Sequence, residues 1–345
     1  MKPLVSILIP AYNAEEWIGY TLQSAIAQTW PRKEIIVVDD GSTDRTAELA
    51  RRFASRQVVV VPKQNEGLAV TENHAFRLCQ GDYIQWLDAD DLLMPDKIER
   101  QLAVLRDGAS KRILLASTWA PFYYRPHPSR FLRNSLCQDL SPVEWLLRKM
   151  GENLHMGNAT WLVSRELTEA AGPWDERLQY DQDGEYFARV LLASEGTRFV
   201  PETGMFYRLS PPNRISYIGH SDLKKDSLLL SLKLHIQYLR AAEESDRVRK
   251  ACVTYLQNWL WAFYPERRDI VAELQTLATQ LQGRLKPPDF GWKYACARAM
   301  FGRKVARWAQ TSFSDLKCAC SRQFDKAMYK LEARRQGGTL SVDAR

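Results

Sequence analysis

Three aspartates fall within four positions of WLDADDLLMP, residues 86–95: Asp88, Asp90 and Asp91. They follow the apolar run Tyr83-Ile-Gln-Trp-Leu87, so they emerge where a buried strand would end. Carboxylates gathered at such a place repel one another and are costly to desolvate unless a cation pairs with them. DDGSTD holds another acidic group, Asp39, Asp40 and Asp44, and YDQDGEYFAR a third, Asp181, Asp183 and Glu185. Such acidity with little base nearby fits a divalent cation bound through oxygen, Mg²⁺ or Mn²⁺. An ion of that kind keeps several waters and bridges to a substrate's phosphates. The Gly-rich phosphate loops GxGxxG and GxxxxGK[ST] do not occur, so phosphate is expected to be held chiefly through metal.

The elements that must position these residues alternate. Val5-Ser-Ile-Leu-Ile9, closed by Pro10, reads as a buried parallel strand, and Ile18, Leu22, Ala25 and Ile26 as one face of the helix after it. Glu34-Ile-Ile-Val-Val38, Gln57-Val-Val-Val-Val61 and Tyr83 to Leu87 read as further strands, separated by the helical stretches TAELARRFA and TENHAFRLCQ. This alternation predicts an α/β fold with a mostly parallel sheet and helices on both faces. Ligands bind such sheets beyond the carboxyl ends of the strands, where PAYN, DDGSTD and DADD all fall. Beyond them, Arg112 to Ala116 reads as a strand, Val143 to Lys149 as a helix, and the chain from Ser221 as helical with a break at Lys286-Pro-Pro-Asp.

Composition sets outer limits. The 345 residues are 45% apolar and 26% charged with a net charge of +7, as in a globular protein. The charge is uneven: residues 1–219 hold 25 Lys and Arg against 28 Asp and Glu, and residues 220–345 hold 23 against 13. Six scattered cysteines show no CxxC pair or Cys/His metal spacing, which predicts reduced thiols in a cytoplasm. No apolar run approaches the roughly 18 residues of a membrane span. Residues 284–335 are basic, with Tyr294, Ala297, Phe301, Val305 and Trp308 at helical spacing. That pattern suits helix packing or contact with an anionic membrane surface; no nucleic-acid module accompanies it, so nucleic acid is not an expected partner.

Taken together and in order, VSILIPAYNAEEWI, EIIVVDDGSTDRT, QNEG…N…A…GDYIQWLDADDLLMP and DQDGEYFARVLLAS resemble the family 2 glycosyltransferases with the GT-A fold. The resemblance covers roughly residues 1–218. It implies that Pro10, Ala11 and Tyr12 shape the nucleotide pocket, that Asp40 accepts a hydrogen bond from the base with Asp39 as its structural neighbour, that Asp88 faces ribose and phosphate, and that Asp90 binds the metal. It implies Asp183 as the general base, although Gln182 precedes it where Glu is commonest, and Asp181 and Glu185 stand close enough to compete. Glu72 stands where family members often have Arg. Trp161 and Trp174 could stack on a sugar, with packing the favoured reading of Trp174. His155 reads as an acceptor-pocket residue or a hydrogen-bonded structural histidine, and Arg208 and His220 could reach the diphosphate from a closing loop, RLSPPNRISYIGH.

The expected activity is metal-dependent, inverting transfer from a nucleoside-diphosphate sugar, UDP-linked, to a glycan, lipid-linked or other hydroxyl acceptor. A nucleotidyltransferase or sugar-phosphate enzyme on a related fold, and a noncatalytic nucleotide-sugar-binding module, are the alternatives. The expected organisation is a GT-A domain over residues 1–220, split into a nucleotide-binding half (1–108) and an acceptor half (109–220). A helical extension (221–336) and a disordered tail (337–345) would follow. The expected location is cytoplasmic, with peripheral contact to the cytoplasmic membrane face through the basic helices.

Overall fold

The computed structural model describes residues 2–105, 110–127, 130–209, 217–219, 221–264, 266–287, 316 and 318–332. Along the first part of the chain come β1 (Val5–Ala11), α1 (Ile18–Ile26), β2 (Lys33–Asp40), α2 (Thr46–Arg51), β3 (Val58–Lys63), α3 (Leu68–Leu78) and β4 (Tyr83–Trp86). All seven residues of β1 are buried, as expected of a central strand covered on both faces. It pairs in parallel with β2 over its whole length, but with β4 only from Val5 to Leu8. The Leu8 carbonyl points toward β4, where it accepts from the Leu87 N–H. Pro10, two residues on, faces the same side after β4 has ended, so its missing N–H leaves no ladder bond unmade. The sheet opens at that point, and a crevice forms.

The second part adds β5 (Leu92–Leu93), α4 (Lys97–Ala103), β6 (Ile113–Phe122), α5 (Pro142–Glu152), β7 (Val163–Ser164), α6 (Arg165–Ala171), α7 (Gln182–Ala193) and β8 (Gly196–Arg208). The main sheet runs β3-β2-β1-β4-β7, with β7 antiparallel to β4. A smaller sheet runs β5-β8-β6. Its pairing of Leu92 with Phe206 and Leu93 with Met205 fixes the far end of the DADD loop. It also brings the end of β8, Arg208, against that loop.

The apolar face of α1 differs in one position from the helical pattern. Ile18, Leu22 and Ala25 are fully buried, but Ile26 is 37% exposed, and Thr21 and Ser24 lie inside instead. Thr21 is at home there because its hydroxyl donates to the carbonyls of Ala89 and Asp91, tying α1 to the aspartate loop.

Three helices follow: α8 (Asp222–Ala242), α9 (Asp246–Phe263) and α10 (Arg268–Gln280). The side chains of Ser221 and Ser245 cap the first two. Leu228, Leu232, Ile236 and Leu239 of α8, and Val248, Tyr255, Leu256 and Leu260 of α9, join one core with Trp145 and Met150 of α5 and Phe187 and Leu191 of α7. At about 1.5–3 kcal/mol for each large apolar side chain buried, that shared core binds these helices firmly to the sheet.

A last described helix, α11, spans residues 318–332. Its Asp325 accepts from the N–H groups of Tyr124 and Arg125 and pairs with the Arg125 guanidinium at 2.8 Å. Its Tyr329 hydroxyl meets that of Tyr20 at 2.8 Å. Among the described residues, no helix is long and apolar enough to cross a membrane. The apolar positions 294–308, the tail 337–345 and most of the loop after Arg208, including His220, lie outside the described residues.

Candidate active site

The loops after β1 and β2 are laced together. Asn13, in the left-handed region at φ 48°, accepts from the Thr43 N–H through its side chain, while its own N–H donates to the Ser42 hydroxyl. The Ala14 N–H donates to Thr46 and the Glu15 N–H to Asp44, and the Arg45 N–H returns to Glu15. Gly41, at φ 69°, makes the turn possible: a Cβ there would stand 2.8 Å from the Asn65 backbone nitrogen. Pro10 and Ala11 are buried beneath this rim, and Tyr12 projects from it, half exposed.

Asp39 and Asp40 are both buried but differently engaged. Asp40 accepts from Lys63 Nζ at 2.6 Å and from the N–H groups of Glu66 and Gly67, each at 3.0 Å. It therefore holds the QNEG loop in place, and its second oxygen, bonded only to Gly67, keeps a lone pair for a ligand. Asp39 reaches the Ser42 N–H with one oxygen at 3.4 Å, and its other oxygen is buried without a partner. The unpaired acceptor thus belongs to the residue read from the sequence as the structural neighbour.

The aspartate loop crowds its carboxylates, with the Arg208 guanidinium beside them. Burial, then the charges of Asp90 and Asp183, push the Asp88 carboxyl up to about 7, against one hydrogen bond from Asn158 at 3.2 Å. Burial and the charges of Asp90 and Asp88 hold Asp91 well above the usual carboxylate range. One Asp91 oxygen accepts from the Arg208 N–H at 2.8 Å, and the other is buried and unpartnered. Asp91 is thus the loop's internal brace. Arg208 is 4% exposed and lies between the Trp17 and Phe122 rings, at 4.1 and 4.2 Å. Its Nε donates to the Asp90 carbonyl and Nη1 to the Tyr123 carbonyl. Arg208 is a built-in part of this wall, not a side chain carried on a closing loop.

Asp183 opens α7 and belongs to the same field. Burial raises its carboxyl above the ordinary value; the charges of His155 and Lys149 oppose the rise and that of Asp181 adds to it. Its two competitors are committed elsewhere. Glu185 is buried, forks onto Arg189 at 2.7 and 2.9 Å and accepts from Tyr238. Asp181, at φ 58°, accepts from the Ser231 hydroxyl at 2.5 Å. A Cβ at Gly184 would overlap Asp181 Oδ1, so a larger residue there would push that carboxylate from its place.

Glu72 is 1% exposed, with one oxygen unpartnered, and burial plus the charges of Asp88 and Asp183 hold it well above the carboxylate range. It joins the acidic centre from α3. Trp174 is a packing residue: it stacks on Tyr186 with centroids 3.9 Å apart and meets Trp86 edge-on. Trp161 is likewise buried, stacked on Phe187. His155 lines a small cavity with Lys149, Trp161 and Asp183.

Asn13, Lys63, Lys149, Asn158 and His235 were not singled out by sequence. For Lys149 and His235 the signal was there, since each interrupts an apolar helix face: Trp145, Leu146 and Met150 in one case, Leu228, Leu232 and Ile236 in the other.

The donor set decides what ion could bind. Among the described residues no group of three or more His, Cys, Asp or Glu is arranged to hold a metal alone. Two neighbouring loop carboxylates, with remaining positions left to water and phosphate, fit Mg²⁺ or Mn²⁺ and not a closed structural site.

Residues 6–140 match the model described as glycosyl transferase family 2. The chain carries a family 2 glycosyltransferase domain. An uncharacterized glycosyltransferase of Rickettsia typhi is 31% identical over 193 residues, 56% of this chain and 60% of that protein. The putative teichuronic acid biosynthesis glycosyltransferase TuaG of Bacillus subtilis is 40% identical over 109 residues, 31% of this chain and 43% of that protein. The chain thus spans less than two thirds of either relative. S. aureus TarS 1-349, solved in complex with UDP-GlcNAc, superposes with a TM-score of 0.64 at 15% identity, over 81% of each chain. That likeness extends the shared fold beyond the residues of the family match.

Proposed function

We propose that this family 2 glycosyltransferase moves a sugar from a UDP-sugar to a hydroxyl acceptor by a metal-dependent single displacement that inverts the anomeric centre. The observation that carries the reading is the acidic centre that Asp88 and Asp183 share from different loops: Asp183 raises the proton affinity of Asp88, and both raise that of the buried Glu72. A carboxylate poised opposite a diphosphate site is what removal of an acceptor proton needs.

Pro10, Ala11 and Tyr12 shape the nucleotide pocket, and the Asp39–Asp40 pair receives the base. Asp88 faces the ribose and phosphate. Bound at Asp90, Mg²⁺ or Mn²⁺ would supply Lewis-acid stabilisation of the leaving diphosphate. Asp183 takes the acceptor proton as its oxygen attacks the anomeric carbon, through a transition state like that of other glycosyl transfers.

The name of TuaG supports polysaccharide biosynthesis at the cell envelope as the setting, and a lipid-linked or glycan hydroxyl is the acceptor we propose. Peripheral contact with the cytoplasmic membrane face fits α11, which leaves Phe324 and Leu331 exposed beside Lys326 and Lys330. We read the domain limits as 1–220, 221–336 and 337–345.

A thermal-shift panel of nucleotide sugars with and without Mn²⁺ tests the reading. One UDP-sugar should stabilise the protein only with metal. Stabilisation by no nucleotide sugar, with or without metal, would overturn it.

A further inference from the structure

Behind Asp183 lies a buried polar chain that the proposed reaction does not use. Lys149 of α5 is 9% exposed, and its Nζ meets His235 Nε2 of α8 at 2.8 Å. His235, 1% exposed, has its other nitrogen, Nδ1, 2.9 Å from the Ser231 carbonyl oxygen. A carbonyl only accepts, so Nδ1 carries the proton and Nε2 presents a lone pair. Nε2 must then accept from Lys149. Burial, and the Lys149 charge, push the His235 imidazole down to about 4, consistent with a neutral ring. The Ser231 hydroxyl is free to donate to Asp181, and does so at 2.5 Å.

One Lys149 proton is thus committed to His235, and two remain. Lys149, His155, Gly184 and Asp183 line one cavity of about 20 Å³, enough for a single water. Lys149 and Asp183 both border that space, with Trp145, Trp161 and Phe187 among its walls, and their charges act on one another.

We infer that Lys149, held by His235, is a positioning residue that keeps Asp183 ionised, so that α8 completes the active site from the C-terminal helices. The inference rests on the reading of Asp183 as the base. Other groups also act on Asp183. His155, beside α5, assists and Asp181 opposes; Glu72 of α3, Asp88 after β4 and the Tyr255 phenol of α9 lie within the field of Asp183. Burial lowers the proton affinity of the Lys149 ammonium, and the charges of Asp181 and Asp183 oppose that fall, so Lys149 and Asp183 each favour the other's charged form. Removal of Lys149 should therefore raise the Asp183 proton affinity, because an opposing charge that favours the ionised form is lost.

The test titrates Asp183 in the full-length, metal-free protein by carboxyl ¹³C NMR, with the resonance assigned by its loss in D183N. K149M should raise the midpoint by about one pH unit or more, and K149R should restore most of the difference. H235F, which removes the acceptor and leaves the lysine easier to deprotonate, should move Asp183 the same way by less; it also serves if K149M fails to fold. H235Q, whose amide oxygen still accepts, should stay near wild type. An Asp183 midpoint unmoved in folded K149M or H235F would overturn the inference. UDP release against pH separates the two readings. If the midpoint moves and the acid limb of the rate does not follow, Asp183 is not the base, while its ionic coupling to Lys149 stands.

Discussion

The two sides of the crevice treat their carboxylates in opposite ways. On the β2 side, Asp40 is met by Lys63 and two backbone amides, and the neighbouring loops are stitched by Asn13, Asp44 and Glu15. On the β4–α7 side, Asp88, Asp91, Glu72 and Asp183 crowd together with raised proton affinities, and both Asp91 and Glu72 leave an oxygen unpaired. Apart from the open Asp39 oxygen, the first side is a finished scaffold. The second carries excess negative charge that a metal–diphosphate ligand would share. Stability and chemistry are therefore expected to separate by location.

That separation can be broken experimentally. The largest effect should come from D183N, with glycosyl transfer falling by about 10²–10⁴-fold while calorimetric UDP affinity in Mn²⁺ stays near wild type. An equal loss of UDP affinity would move Asp183 to the binding side. D40A should cost about 1–3 kcal/mol in denaturant unfolding, because it leaves two amides without their acceptor and Lys63 with Glu66 as its remaining carboxylate. D90N, on the opposite side, should leave the unfolding midpoint close to wild type and abolish the Mn²⁺ dependence of UDP binding.

The acidic side should also give stability a pH dependence. With Asp88 at about 7 in the folded protein and near 4 unfolded, the native state binds the extra proton between those values. Stability of the metal-free protein should thus fall as pH rises from about 4 to about 7, and D88N should flatten that part of the curve. The smallest effect sharpens the scaffold side: N13A should cost about 1 kcal/mol through loss of its acceptance from Thr43. A slope unchanged in D88N would mean that Asp88 is not held protonated by its neighbours.

The layout of the first half was legible because buried strands are apolar runs and their loops carry polar clusters; β1, β2 and β4 fell where VSILI, EIIVV and YIQWL placed them. The β5-β8-β6 sheet was not. Leu92–Leu93 is too short to show a period, and its partner lies more than a hundred residues away. Ile26 was misplaced because periodicity cannot register that Thr21 finds two carbonyls inside. In the candidate site, acidic motifs showed where charge collects but not how it is divided. Only tertiary contacts show that Asp40 is occupied while Asp39 keeps an open oxygen, and that Glu185 belongs to Arg189. The contribution of α8 was least visible, since a helical tail with a lone buried histidine reads as packing until Lys149 is placed against it.

The central claim is that the acidic side performs metal-dependent sugar transfer from a UDP-sugar, with Asp183 as its base. The most direct test measures UDP release from a panel of UDP-sugars, with Mn²⁺ and cell-derived acceptors, by wild type and D183N side by side. Wild type should release UDP from one donor in a metal-dependent way, and D183N, binding UDP as tightly, should not. Equal release by both proteins, or release indifferent to metal, would contradict the account.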